Sequence, residues 1–157
     1  MGQEIERKFL LKNDGWRALA SGTLYRQGYL NSTKERTVRI RTIGDHAFLT
    51  IKGITTGATR TEYEYPIPLE DCNAMLDTLA ERPVIEKKRY KIRQGDLTWE
   101  IDEFFGDNAG LIVAEVELQS EGQAFGKPEW LGAEVTADPR YFNSNLVKHP
   151  YTKWQAR

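Results

Sequence analysis

Pairs of like charges two positions apart recur along the chain: Glu4/Glu6, Arg39/Arg41, Glu62/Glu64, Lys87/Arg89, Glu100/Asp102 and Glu115/Glu117. In a β-strand, residues i and i+2 point to the same face, so each pair sets two equal charges side by side. The alternate positions are largely apolar: Ile5 and Phe9, Val38 and Ile40, Tyr63 and Tyr65, Trp99 and Ile101, Val116 and Leu118. This alternation calls for antiparallel strands with one covered face and one charged face. A single pair describes the wet side of any sheet. A solvated face, however, mixes signs and carries Thr, Ser, Gln and Asn, and like charges crowded together repel and cost stability. Repetition with uniform sign within each pair describes a surface organised around a ligand. A metal ion and a multiply charged anion bound together would suit it.

The rest of the composition narrows the chemistry. A chain of 157 residues, 39% hydrophobic and 11% aromatic, fits one domain over 1–157 that buries a core without staples. Its net charge of −1, from 22 basic and 23 acidic residues, offers no global field for nucleic acid. No apolar run approaches membrane-spanning length, and the Met-Gly-Gln-Glu start shows no secretory pattern, which together predict a cytoplasmic protein. Cys72 is the single cysteine, so neither an intrachain disulfide nor a cysteine metal cluster can form. Cys72, Met75, Leu76 and Leu79 fall on one helical stripe, which assigns them to core packing. His46 and His149 lack zinc spacing, and Gly53-Ile-Thr-Thr-Gly57 lacks the lysine of a phosphate-cradling loop. Any phosphate must therefore be held by side chains.

Alternation bounded by turn residues predicts strands near Gln3–Lys12, Thr23–Leu30, Arg36–Thr42, Ala47–Lys52, Arg60–Ile67, Val84–Ile92, Leu97–Phe104 and Leu111–Gln119. A short helix is expected through Ala20, another over Glu70–Glu81, and short helical pieces in the Gly- and Pro-rich stretch from Gly122. The predicted fold is mainly β, of α+β type. An antiparallel barrel or strongly curled sheet would hold the charges inside with a few helices packed outside. An open sheet with its charges outward is the competing arrangement.

The sharpest local motif is Glu4-Ile5-Glu6-Arg7-Lys8, which places two carboxylates and an ammonium on one strand face. Carboxylates are hard oxygen donors suited to Mg²⁺ or Mn²⁺, and a neighbouring lysine suits a bridging phosphate. The motif resembles the N-terminal signature of the CYTH superfamily, the triphosphate tunnel metalloenzymes. Arg39-Ile40-Arg41, Lys52, Glu62-Tyr63-Glu64, Lys87-Lys88-Arg89, Asp102 and Glu115-Val116-Glu117 follow in the family's order. The segment Glu134-Val135-Thr136-Ala137-Asp138, leading to Arg140-Tyr141 and Asn143, resembles the C-terminal part of small bacterial members. The resemblance spans nearly the whole chain.

What the resemblance implies is a closed tunnel of eight antiparallel strands. Lys8, Arg39, Arg41, Lys52, Lys87 and Arg89 would then bind phosphate oxygens. Glu4, Glu6, Glu62, Glu64, Asp102, Glu115 and Glu117 would hold Mg²⁺ or Mn²⁺ directly or through water. Glu4, Glu6, Lys87 and Tyr29 would take catalytic parts. Tyr29 reads equally as a contact for a terminal phosphate or as an ordinary packed strand tyrosine. Glu100 shares a face with Asp102 without an assigned role, and Trp99, Trp130 and Trp154 are assigned to packing. The implied activity is metal-dependent hydrolysis of inorganic triphosphate to pyrophosphate and phosphate. Class IV adenylate cyclisation, thiamine or nucleoside triphosphate hydrolysis, and a non-catalytic polyphosphate-binding module are the alternatives. The expected partner is a small anionic triphosphate, with no nucleic acid and no membrane, on a monomer or homodimer.

Overall fold

The computed structural model describes residues 3–154. The strands are β1 (Gln3–Leu11), β2 (Gly22–Thr33), β3 (Arg36–Ile43), β4 (His46–Gly53), β5 (Thr59–Pro66), β6 (Ile85–Gln94), β7 (Leu97–Phe104), β8 (Ile112–Glu117) and β9 (Leu131–Glu134). Two α-helices, α1 (Leu69–Thr78) and α2 (Asn143–Lys148), and four 3₁₀ turns complete the described elements. The sheet runs in the order β5-β4-β3-β2-β6-β7-β8-β1-β9, and β1 also pairs with β5. Eight strands thus close into a ring, every pairing within it antiparallel. The open-sheet arrangement is excluded.

Closure is brief. β1 meets β5 through the pairs Gln3↔Thr61, Glu4↔Arg60 and Ile5↔Thr59. Further along the strand, β9 pairs with β1, with Phe9 opposite Glu134 and Leu11 opposite Leu131. This ninth strand lies in the stretch expected to form only helical pieces. At four residues around Gly132 it is too short to show alternation, and pairing with β1 creates it. Gly132 is needed here, since a Cβ would stand 2.9 Å from the Leu10 carbonyl oxygen.

Outside the ring, α1 packs Cys72 and Leu76 onto Ile40 and Ala47 of β3 and β4. Its close approach requires Gly28 on β2, where a Cβ would come within 2.8 Å of the Ala80 Cβ. The helix ends at Thr78, short of the expected Glu81. Leu79, expected on the packed stripe, is instead 66% exposed. Tyr63 and Tyr65, on the apolar face of β5, are likewise uncovered. A second cluster joins Phe9, Trp16, Trp99, Ile101, Val116 and Trp130 on the outer face of β1 and β6–β8, with Phe125 packed edge-on against Phe9 and Trp99.

The third cluster occupies one end of the ring. Ile85, Phe104 and Val113 lie at even spacing from Lys87, Asp102 and Glu115, and so face inward with them. There they meet Tyr141, Leu146 and Val147 of the C-terminal segment. The segment that holds α2 therefore closes one end of the tunnel, whereas helices were expected only on the outside.

Candidate functional site: a charge-lined tunnel

Between the strands lies a cavity of about 260 Å³. Of the residues singled out from the sequence, Glu4, Glu6, Lys8, Tyr29, Arg39, Arg41, Lys52, Glu62, Glu64, Lys87, Arg89, Glu115 and Glu117 all line it. Glu100 also lines it and accepts an ion pair from Arg89 at 3.1 Å.

Asp102 does not. It is completely buried behind the wall, with its oxygens engaged by Arg89 Nε at 2.8 Å, Arg89 Nη2 at 2.9 Å and Lys87 Nζ at 2.8 Å. Asp102, expected among the metal ligands, here anchors two cations and is not among the residues that line the cavity. Strand alternation sets its face, and Phe104 and Val113 beside it mark the sealed end of the tunnel.

The cations and carboxylates of the wall are paired with one another. Lys52 Nζ donates to both oxygens of Glu4, at 3.0 and 3.2 Å, and lies 3.7 Å from Glu62. Lys8 Nζ sits 3.2 Å from Glu115 and donates to the Tyr141 carbonyl at 3.0 Å. Arg39 and Arg41 approach Glu64 at 3.6 and 3.5 Å, while Thr50 donates to the same carboxylate at 2.8 Å. Lys87 donates to the Asn143 side-chain oxygen at 2.9 Å, which also accepts from Gln27. Lys8 and Lys87 thus abut the sealing segment. Glu4, Glu6 and Glu62 lie towards the β4–β5 loop, whose Thr55, Gly57 and Ala58 line the tunnel.

Electrostatics separate these groups. Against the cost of burial, Lys8, Arg89 and Lys87 hold Glu115 well below the usual carboxylate range. Arg89 and Lys87 likewise overcome burial to hold Asp102 down. One carboxylate cannot fully compensate two cations, however. Burial, reinforced by Arg89, brings Lys87 down to about 8 despite Asp102. Glu6 behaves oppositely. Burial first, then repulsion from Glu115 and Glu4, pushes it up to about 8. Glu117 stands directly opposite Glu6 in the β1–β8 register and is also raised, by burial and by Glu4, Glu62 and Glu100. Like charges placed opposite each other across strands are destabilising. A divalent cation beside Glu6 and Glu117 would remove that repulsion.

The all-oxygen donor set fits a hard cation. Among the described residues, no three metal-ligating side chains already converge on one point.

Sequence reasoning missed several wall residues. Arg60, 3.4 Å from Glu4, follows no like-charge pair and so carried no signal. Thr136, Phe142 and Asn143 line the tunnel from the C-terminal segment, far from any strand alternation. Thr136 and Asn143 belong to the segment that carries the family resemblance, but no role was assigned to them, and the neutral amide of Asn143 gave no hint of its contact with Lys87.

A sealed antiparallel ring whose inner wall carries paired acid and base defines a charge-lined β-tunnel protein. The chain belongs to the CYTH domain family, whose pattern matches residues 2–151. It is 53% identical over 155 residues to an inorganic triphosphatase of Acetivibrio thermocellus, covering 99% of each chain. Identity is 41% over 153 residues to an inorganic triphosphatase of Nitrosomonas europaea, covering 92% of this chain and 96% of the other. A solved crystal structure of an inorganic triphosphatase superposes with a TM-score of 0.64 at 36% identity, covering 91% of this chain and 96% of that one.

Proposed function

We propose that this protein is a divalent-metal-dependent hydrolase of inorganic triphosphate, releasing pyrophosphate and phosphate. One observation carries the reading: acid and base line a narrow tunnel sealed at one end and are paired there with each other, so a short linear polyanion and its cation can take over both sets of partners together. The two relatives, each named inorganic triphosphatase, support it.

In this reading, Lys8, Arg39, Arg41, Lys52, Lys87 and Arg89 receive the phosphate oxygens, the arginines through paired donors and the lysines as point charges. Glu6 and Glu117, with Glu4 and Glu62, would hold Mg²⁺ or Mn²⁺. Bound there, the cation would neutralise phosphate oxygens and activate water. Glu64 and Glu115 keep the arginines and Lys8 oriented until phosphate replaces them. Asp102 fixes Lys87 and Arg89 from behind. Tyr29 and Lys87, next to the sealing cluster, flank the innermost phosphate. A water oxygen attacks the terminal phosphorus, the bridging P–O bond breaks, and pyrophosphate leaves. Such transfer depends on positioning and charge neutralisation more than on covalent participation by the protein.

The reading places a single 1–157 unit in the cytoplasm, acting as a monomer or homodimer on a small anion without nucleic acid. Among the described residues, no helix is long and apolar enough to cross a membrane. The deciding test incubates purified protein with inorganic triphosphate, ATP or thiamine triphosphate and Mg²⁺ or Mn²⁺, then separates the products. Rapid orthophosphate release from inorganic triphosphate and slower release from ATP are expected. Cyclic AMP with pyrophosphate from ATP would overturn the hydrolase reading, and tight binding without turnover would establish a binding module instead.

A further inference from the structure

Tyr25 belongs to none of the charged pairs, yet it sits among them. It lies on β2, between the strands that carry Arg41 and Arg89, opposite Ile43 of β3 and Lys87 of β6. Its side chain is buried at 3% exposure. The guanidinium carbons of Arg41 and of Arg89 each stand 5.0 Å from the centre of its ring. Two like charges from two different strands therefore converge on one aromatic ring.

The two arginines are held very differently. Arg89 is fixed by Asp102 at 2.8 and 2.9 Å and by Glu100 at 3.1 Å. Arg41 approaches Glu64 only at 3.5 Å, and its buried Nε has no hydrogen-bond partner. Burial, together with Arg39 and Arg89, brings its pKa down to about 10. Repulsion from those neighbours would swing a long, weakly tethered side chain away from the tunnel. An aromatic face attracts a cation within about 6 Å of its centre, more strongly where water is excluded. The Tyr25 ring can therefore offset part of the repulsion between the two guanidiniums.

We propose that Tyr25 is a positioning residue whose ring holds Arg41 alongside Arg89, so that both guanidiniums present a prearranged clamp to the triphosphate. The proposal rests on the triphosphate reading of the tunnel. Ordering the clamp in advance removes the cost of immobilising Arg41 at the moment of binding. The effect belongs to the ring and not to its hydroxyl, which sets the test.

Wild type, Y25F, Y25L and Y25M are compared in three measurements. These are calorimetric binding of inorganic triphosphate in metal-free buffer, KM and kcat for its hydrolysis with Mn²⁺, and the NMR shifts of the Arg41 and Arg89 Nε–H groups. Y25F is expected to bind within about threefold of wild type, and Y25L and Y25M about tenfold or more weakly, the weight of a desolvated cation–π contact. KM should rise while kcat changes far less, and the ring-current shifts of both arginines should persist in Y25F and vanish in the other two. Y25M keeps the comparison open if Y25L folds poorly. Equal impairment of Y25F and Y25L, wild-type affinity in both aliphatic variants, or unmoved arginine resonances would each overturn the proposal. A wild-type protein that neither binds nor cleaves triphosphate refutes the proposed function instead, and the NMR comparison then still decides whether the ring holds the arginines.

Discussion

Replacing Asp102 by asparagine preserves shape and removes one charge from a fully buried site. Lys87 Nζ at 2.8 Å and the Arg89 fork at 2.8 and 2.9 Å then lose their shared counterion. Breaking a buried ion pair by removing one partner costs about 3–5 kcal/mol. For a chain of this size, each kcal/mol lowers the midpoint by about 2–4 °C, so the metal-free variant should melt roughly 6–20 °C below wild type. The loss has a characteristic pH dependence. In the wild type the Asp102 pKa is depressed, so its contribution is present above the unfolded value of 3.8 and disappears as pH falls through the folded value. In the variant, Lys87, already down to about 8, is depressed further. Its folded form then binds fewer protons than the unfolded chain up to the normal lysine range, so variant stability climbs with pH. Melts followed by circular dichroism at pH 6 and pH 9, without metal, should show a smaller deficit at pH 9. A variant melting within about 2 °C of wild type at both pH values, but no longer stabilised by Mn²⁺, would refute this reasoning and return Asp102 to the metal ligands.

Four further outcomes are expected. E6Q should abolish hydrolysis while leaving the fold intact. Because the Glu6 pKa is raised to about 8 from 4.5, the metal-free wild type should lose stability as pH rises between those values; E6Q should flatten that slope, and an unchanged slope would count against a repelled carboxylate at this position. Triphosphate and Mn²⁺ together should raise the melting temperature more than the sum of each alone, since each releases the other's partners from pairs such as Lys52–Glu4. At a hundred times the dissociation constant the gain is about 2.7 kcal/mol, and fluorimetric shifts reproduced by sodium chloride would contradict it. R89K exchanges a paired fork for one ammonium and should weaken triphosphate binding by about 1–3 kcal/mol in calorimetry, with unchanged affinity counting against the assignment. L146A empties a fully buried position in the seal. It should cost about 2–5 kcal/mol in urea unfolding, and a loss well under 1 kcal/mol would mean that the segment does not close the tunnel tightly.

The inner wall was legible because alternation is a strict rule. Spacing alone put Glu4, Glu6, Glu62, Glu64, Glu115 and Glu117 on inward faces, and closure of the ring brought them together. Alternation does not say how deep a residue lies along the strand. Asp102 shares its face with Glu100, yet one lies behind the wall and the other lines the tunnel. A clue was present in the apolar residues that end three inward series on one side, Ile85, Phe104 and Val113. The sealing segment was illegible because its residues follow no period, and β9 because it exists only against β1. Tyr25 escaped notice because a buried aromatic ordinarily reports packing. Its neighbours, Arg41 and Arg89, come from β3 and β6, and only the sheet order shows that these two strands flank β2.

β1 is shared among three partners, β8, β5 and β9, all of which follow it in the chain. On a ribosome it emerges before all three of them. At about 5–20 residues per second, roughly 5–20 s separate the end of β1 from the end of β8. During that interval an unpaired strand is a template for wrong pairing, and partners so distant in sequence make correct pairing slow. The run Glu4-Ile5-Glu6-Arg7-Lys8 meets this hazard with its own charges, since a strand edge studded with charged side chains resists association with another chain. The residues assigned to metal and phosphate would thus guard the nascent chain before there is any tunnel to line.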